Sequence, residues 1–296
     1  MDGFWIILTA ILVSASCGIL GCFLLLRKMT MVADAISHAV LPGIVIAYFV
    51  AQSRAELPML VGAAVVGMLT TVLIELLHEK ARLQSDAAIG IAFTGLFALG
   101  VILISAYAGS IDIDQDCVLY GEIAYVPLET WILPSGIDLG PIAVWRLAGL
   151  LLIILTIVIS GFRAFKLTSF DPVYAASIGI STVFWHYLLM SLVSLTTVLT
   201  FESVGAILVV AFIIGPAATA FLLTKQLRYM MMIAVGLGIL ASVCGYMLAV
   251  WVDGSIAGAI SVCIGIEFLL VFGYKVIGAR MNGRQNISLE FNGSEG

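Results

Sequence analysis

Long apolar runs, divided by short polar breaks, make up almost the whole chain. They fall at about 4–26, 31–50, 58–77, 87–107, 142–161, 179–199, 204–223, 229–250 and 255–277. Each is close to the roughly 20 residues that an α-helix needs to cross a hydrocarbon core of about 30 Å. The pattern predicts an all-α, polytopic membrane protein of eight or nine spans. The count turns on 204–223, where Gly205, Gly215 and Pro216 can leave a broken half-helix. Residues 1–278 read as one transmembrane domain and 279–296 as a polar tail without order.

The breaks set the orientation. Arg27, Lys28, Lys80, Arg82, Arg163, Lys166, Lys225, Arg228, Lys275, Arg280 and Arg284 occupy alternate breaks or the tail, and only Arg54 and Arg146 lie on the other side. By the positive-inside rule the C-terminus is cytoplasmic and the N-terminus outside. One long outer connection, about 108–141, carries Asp112, Asp114, Asp116, Glu122, Glu129 and Asp138 with no Lys or Arg. Its glycines and prolines argue against a single helix. It is either an ordinary solvated loop or an acidic vestibule that concentrates cations.

Composition agrees with lipid as the solvent. The 296 residues are 62% hydrophobic and 10% charged, with a mean hydropathy of +1.18, against roughly 25% charged in soluble domains. No stretch is long enough for a soluble catalytic domain, so the chain is not expected to be an enzyme, and nucleic acid is not an expected partner. The start, Met1-Asp2-Gly3-Phe4, has no basic region and reads as a retained first span. Cys17, Cys22, Cys117, Cys244 and Cys263 show no paired spacing.

Ionisable residues inside a span are costly and mark function by default. The clearest lie in Ala33-Asp34-Ala35-Ile36-Ser37-His38-Ala39-Val40-Leu41-Pro42-Gly43. Asp34 and His38 are four apart and share a helix face. Counting helical rise from Lys28 puts His38 about 15 Å in, near the midplane. A carboxylate and an imidazole together suit Mn²⁺, Fe²⁺ or Zn²⁺, and Pro42-Gly43 can break the helix beyond them. The alternatives are a pair that only locks helices together, or a proton relay. Glu202, Glu267, the Glu75/His78/Glu79 group at a helix end, and His186 between Trp185 and Tyr187 read as structural. In Ser169–Gly179, Asp171 can cap a short helix with Pro172 first. The small residues Ala175, Ala176 and Gly179 would give that helix a smooth face for a partner, or the segment is a plain turn.

The run Asp34–Gly43 closely resembles the signature of bacterial metal-type ABC permeases, the zinc/manganese/iron import group. Asp114–Ile123 is similar to that family's outer segment, nearest its Tro-like manganese branch. Phe170-Asp171-Pro172 through Gly179, with Ala176, matches the position of the coupling helix. Val204–Leu208 and Gly215–Ala220 match the following block. The resemblance implies a permease in a bacterial cytoplasmic membrane, paired with a second copy or a paralogue. It would be driven by two cytoplasmic ATPase subunits and fed by an extracellular or periplasmic metal-binding protein. It also implies Asp34 and His38 as ligands of the transported divalent metal, and no tightly bound cofactor. Rival expectations are a permease for chelated metal or siderophore, and a proton-coupled secondary carrier. An intramembrane hydrolase is set aside, since Ser37 and His38 point about 100° apart on a helix.

Overall fold

The computed structural model describes residues 2–51, 56–107, 123–132 and 138–292. Its helices are α1 (Asp2–Leu26), α2 (Val32–Ala39), α3 (Leu41–Ala51), α4 (Glu56–Glu79), α5 (Ser85–Tyr107), α6 (Ile142–Ser160), α7 (Phe162–Phe170), α8 (Pro172–Ser177), α9 (Thr182–Val204), α10 (Ala206–Leu223), α11 (Leu227–Val252) and α12 (Ile256–Asn292). A 3₁₀ turn at Ile123–Leu128 and an antiparallel hairpin, β1 (Thr130–Ile132) with β2 (Asp138–Pro141), occupy the described part of the long connection. Among the described residues nine spans are long and apolar enough to cross a membrane, with α2 and α3 together forming one. The 204–223 run is therefore a span in its own right, an unbroken helix that accommodates Pro216. The last helix continues to Asn292, into the segment read from composition as an unstructured tail, and no proline follows Pro216 to stop it.

The spans sort into two packed groups. One is α1 with α10, α11 and α12; the other is α2 with α3, α4 and α5. Helix α9 joins them, packing on α1 on one side and on α2 and α4 on the other. Fully buried Phe23, Phe165, Phe212, Leu189 and Met190 fill the region between. In lipid there is no hydrophobic drive between helices, so close backbone approach and side-chain fit hold them together. Gly43 and Gly62 supply one such approach between α3 and α4: a Cβ on Gly62 would lie 2.5 Å from the Gly43 carbonyl oxygen. The tight turn between α9 and α10 rests on Gly205, at φ 81° and ψ 164°, a conformation open essentially to glycine alone.

One end of the bundle gathers the cations. Arg163, Lys166, Lys225 and Arg228 line a common depression there, with the Arg228 guanidinium 5.2 Å from the centre of the Phe162 ring. At the other end Glu129, Arg146 and Glu202 lie within electrostatic reach of one another.

Candidate metal site and docking helix

Asp34 and His38 stand on α2, an eight-residue helix interrupted at Val40 before α3 begins. Pro42 explains the interruption. It has no N–H to return to the His38 carbonyl, so one helical bond is missing there, although Val40 keeps helical angles and the span runs on. His38 Nε2 lies 3.6 Å from Asp34 Oδ1. The His38 ring is bordered by Phe93 and Phe97 of α5, at 5.3 and 6.2 Å between centroids. The rest of α2 faces inward: Val32, Ala33, Ala35, Ile36 and Ser37 are buried, with Ile36 against α4 and α9 near Gly67 and Ser194. The helix thus has a core side and a polar side. On the polar side the Asp34 side chain is 43% exposed and that of His38 26%.

The path of the chain to that depth differs from the sequence expectation. The chain does not rise helically from Lys28, whose φ of 59° places it in the left-handed region, and α2 starts only at Val32. His38 lies about 9 Å along the axis from that start at the helical rise, nearer the middle of the Val32–Ala51 span than its basic end. Among the described residues no group of three or more His, Cys, Asp or Glu side chains could hold a metal ion. On α2 the described residues offer a carboxylate and an imidazole, half of what a tightly held cation needs. Asp112, Asp114, Asp116 and Glu122 lie outside the described residues.

The segment at 169–179 forms the expected short helix. Asp171 ends α7 and caps α8, accepting a hydrogen bond from the Tyr174 amide at 2.9 Å. Pro172 occupies the first turn, and Gly179, at φ 85°, reverses the chain afterwards. The exposed face departs from expectation. Ala175 is buried inward, and although Ala176 and Gly179 are exposed, the surface is dominated by bulky Phe170, Val173, Tyr174 and Ile178, Val173 being 79% exposed. An uncovered apolar cluster on a short helix at the polar end of a span fits a contact with another protein or with the membrane.

A third constellation escaped the sequence reading. Arg27, just past α1, donates from Nε to Ser169 Oγ (3.0 Å), from Nη2 to Thr168 Oγ1 (2.9 Å) and from Nη1 to His186 Nδ1 (3.1 Å). His186 Nε2 in turn meets Glu75 Oε2 at 2.9 Å. Burial lowers the Arg27 guanidinium to about 10, with the Glu75 charge opposing the shift, so it stays charged at neutral pH. Glu75 and His186 are more than a hundred residues apart, and neither spacing nor composition pairs them. Glu79 and His78 are exposed as expected, His78 Nδ1 meeting the Leu83 carbonyl at 2.8 Å.

Comparison with known proteins adds three findings. The model of the ABC 3 transport family matches residues 4–275. The manganese transport system membrane protein MntD of Bacillus subtilis is 47% identical over 268 residues, 90% of each chain, and the zinc transport system membrane protein TroD of Treponema pallidum is 42% identical over 273 residues, 90% of this chain and 72% of that one. The solved structure of PsaBC from Streptococcus pneumoniae in complex with Fab superposes with a TM-score of 0.73 at 33% identity, covering 90% of both chains.

Proposed function

The chain belongs to the ABC 3 transport family, and from that footing we propose that it is the membrane-spanning permease subunit of an ATP-driven importer of a divalent transition metal, manganese ahead of zinc and iron. The observation that carries the reading is the Asp34–His38 pair, held 3.6 Å apart on the polar face of a helix inside a span. The manganese and zinc in the relatives' names support the substrate class. Asp with His suits all three metals, so the names decide the order. Family membership favours ATP-driven import over a proton-coupled secondary carrier. A ligand pair in the path favours the bare ion over a chelate, which would need width and no ligands.

The pair also bears on assembly. Asp34 is nearly half uncovered on a membrane-spanning helix, and a carboxylate left facing lipid there would be costly. A second permease, identical or a paralogue, laid against this face would remove that cost. It would bring a second carboxylate and imidazole to the ion, making four ligating side chains. Two cytoplasmic ATPase subunits would seat on the apolar face of α8. A metal-binding protein would deliver the ion at the opposite end, where Glu129 and Glu202 lie. ATP binding moves α8, and the path to the Asp34–His38 site switches sides.

The test is cellular metal content by mass spectrometry under metal limitation. Asp34→Ala and His38→Ala, both confirmed in the membrane, are each expected to lower the content of one metal at least tenfold relative to a wild-type copy. Metal content equal to wild type in both variants would return the pair to a structural role.

A further inference from the structure

The Arg27 constellation joins four elements that the transport cycle must move together. Arg27 holds Thr168 and Ser169, the residues of α7 next to the Phe170–Asp171 junction with the docking helix. Through His186 and Glu75 it also reaches α9 and α4. Both helices pack against α2, alongside α5 and α10, and α2 carries Asp34 and His38. The donor pattern leaves one arrangement. A guanidinium has only donors, so His186 Nδ1 must accept from Arg27 and the ring proton sits on Nε2, donated to Glu75. The Tyr187 side chain lies within electrostatic reach of the same carboxylate. Every group in the chain from α7 to α4 is thereby satisfied, with both ion and imidazole largely out of water. A locking role alone would be met by Glu75 with His186, which already tie α4 to α9. The two further bonds from Arg27 to α7 are what connect that lock to the docking segment.

We propose that Arg27, acting through His186 and Glu75, is the positioning residue that transmits movement of the docking helix to the helices flanking the metal site. The proposal rests on the reading of the chain as an ATP-driven permease. When α8 is displaced by the ATPase subunits, Thr168 and Ser169 move with it. The guanidinium follows, and its bond to His186 breaks or reorients. The α4–α9 lock at the basic end is then free to open, and α2 gains room to release the ion on that side.

The measurement is Mn²⁺ carried per ATP hydrolysed by the complete transporter, permease with its ATPase subunits and binding protein, in proteoliposomes. Arg27→Met keeps an unbranched stem reaching as far as the Nε position and removes all the donors. The expected result is ATP hydrolysis within about twofold of wild type and a ratio at least tenfold lower. His186→Gln, whose amide can both accept from Arg27 and donate to Glu75, is expected to keep the ratio within about twofold, whereas His186→Leu loses it. A purely structural role would lower assembly, hydrolysis and uptake in step and leave the ratio unchanged, and that result overturns the proposal. Should Arg27→Met fail to assemble, His186→Leu is scored on the same ratio with the same consequence. A wild-type complex that hydrolyses ATP yet carries none of Mn²⁺, Zn²⁺ and Fe²⁺ would remove the parent reading alone. The relay is then read from spin labels at Leu76 and Val183, both exposed beside the lock. ATP must change their separation in wild type and not in Arg27→Met, and the same change in both overturns it.

Discussion

Asp34 and His38 show how much one helix face can encode. Their spacing by four was enough to pair them, and the structure places their side chains 3.6 Å apart as a shared face requires. The start of α2 was not readable, because it is decided by the left-handed turn at Lys28 and not by any apolar pattern. His186 is the opposite case. Its aromatic neighbours gave it the look of an interfacial residue, while its two ring nitrogens are engaged by Arg27 and Glu75 from distant parts of the chain. At this scale the backbone also carries a prediction. Gly205 sits at φ 81° and ψ 164°, so Gly205→Ala is expected to cost about 1–3 kcal/mol. A thermal melt of the purified permease in detergent checks it, and an unchanged midpoint would mean that the α9–α10 turn has another conformation open to it.

Among the elements, the docking helix and the α3–α4 contact are most open to test. α8 has six residues, too short to hold itself by backbone bonds alone. The Asp171 cap supplies about 1 kcal/mol, and Asp171→Ala is expected to weaken co-purification of the ATPase subunits several-fold without displacing the spans. Val173→Asp, which puts a charge on the exposed apolar face, is expected to abolish co-purification; retention at wild-type level would move the docking face elsewhere. In α4, Gly62→Val would drive a side chain into the Gly43 carbonyl and Ala47 Cβ, each 2.5 Å from the position of the new Cβ. Overpacking of this kind costs about 1–3 kcal/mol, seen as a lower melting temperature. The sequence revealed that a short capped helix lies at 171–177. It did not reveal which face is outward, since that depends on Ala175 packing against the bundle.

For the whole molecule, the apolar runs alone carried the architecture, because in lipid each span must satisfy its own backbone and only length and hydropathy matter. Helix grouping was not legible: α9 bridges the two packed groups through contacts between segments far apart in sequence. The charge distribution predicts topology. In a background lacking the native cysteines, Val173→Cys should react with an impermeant thiol reagent only from the cytoplasmic side and Leu128→Cys, exposed at the opposite end, only from outside. Reaction of both from one side would overturn the orientation. The central claim, that a divalent metal crosses at Asp34 and His38 on ATP hydrolysis, is tested most directly in proteoliposomes holding the permease, its ATPase subunits and its binding protein. Wild type is expected to accumulate Mn²⁺ only when ATP is supplied, and Asp34→Ala to lose at least nine-tenths of that uptake while still assembling with the ATPase. Equal ATP-dependent uptake by wild type and Asp34→Ala would contradict the account.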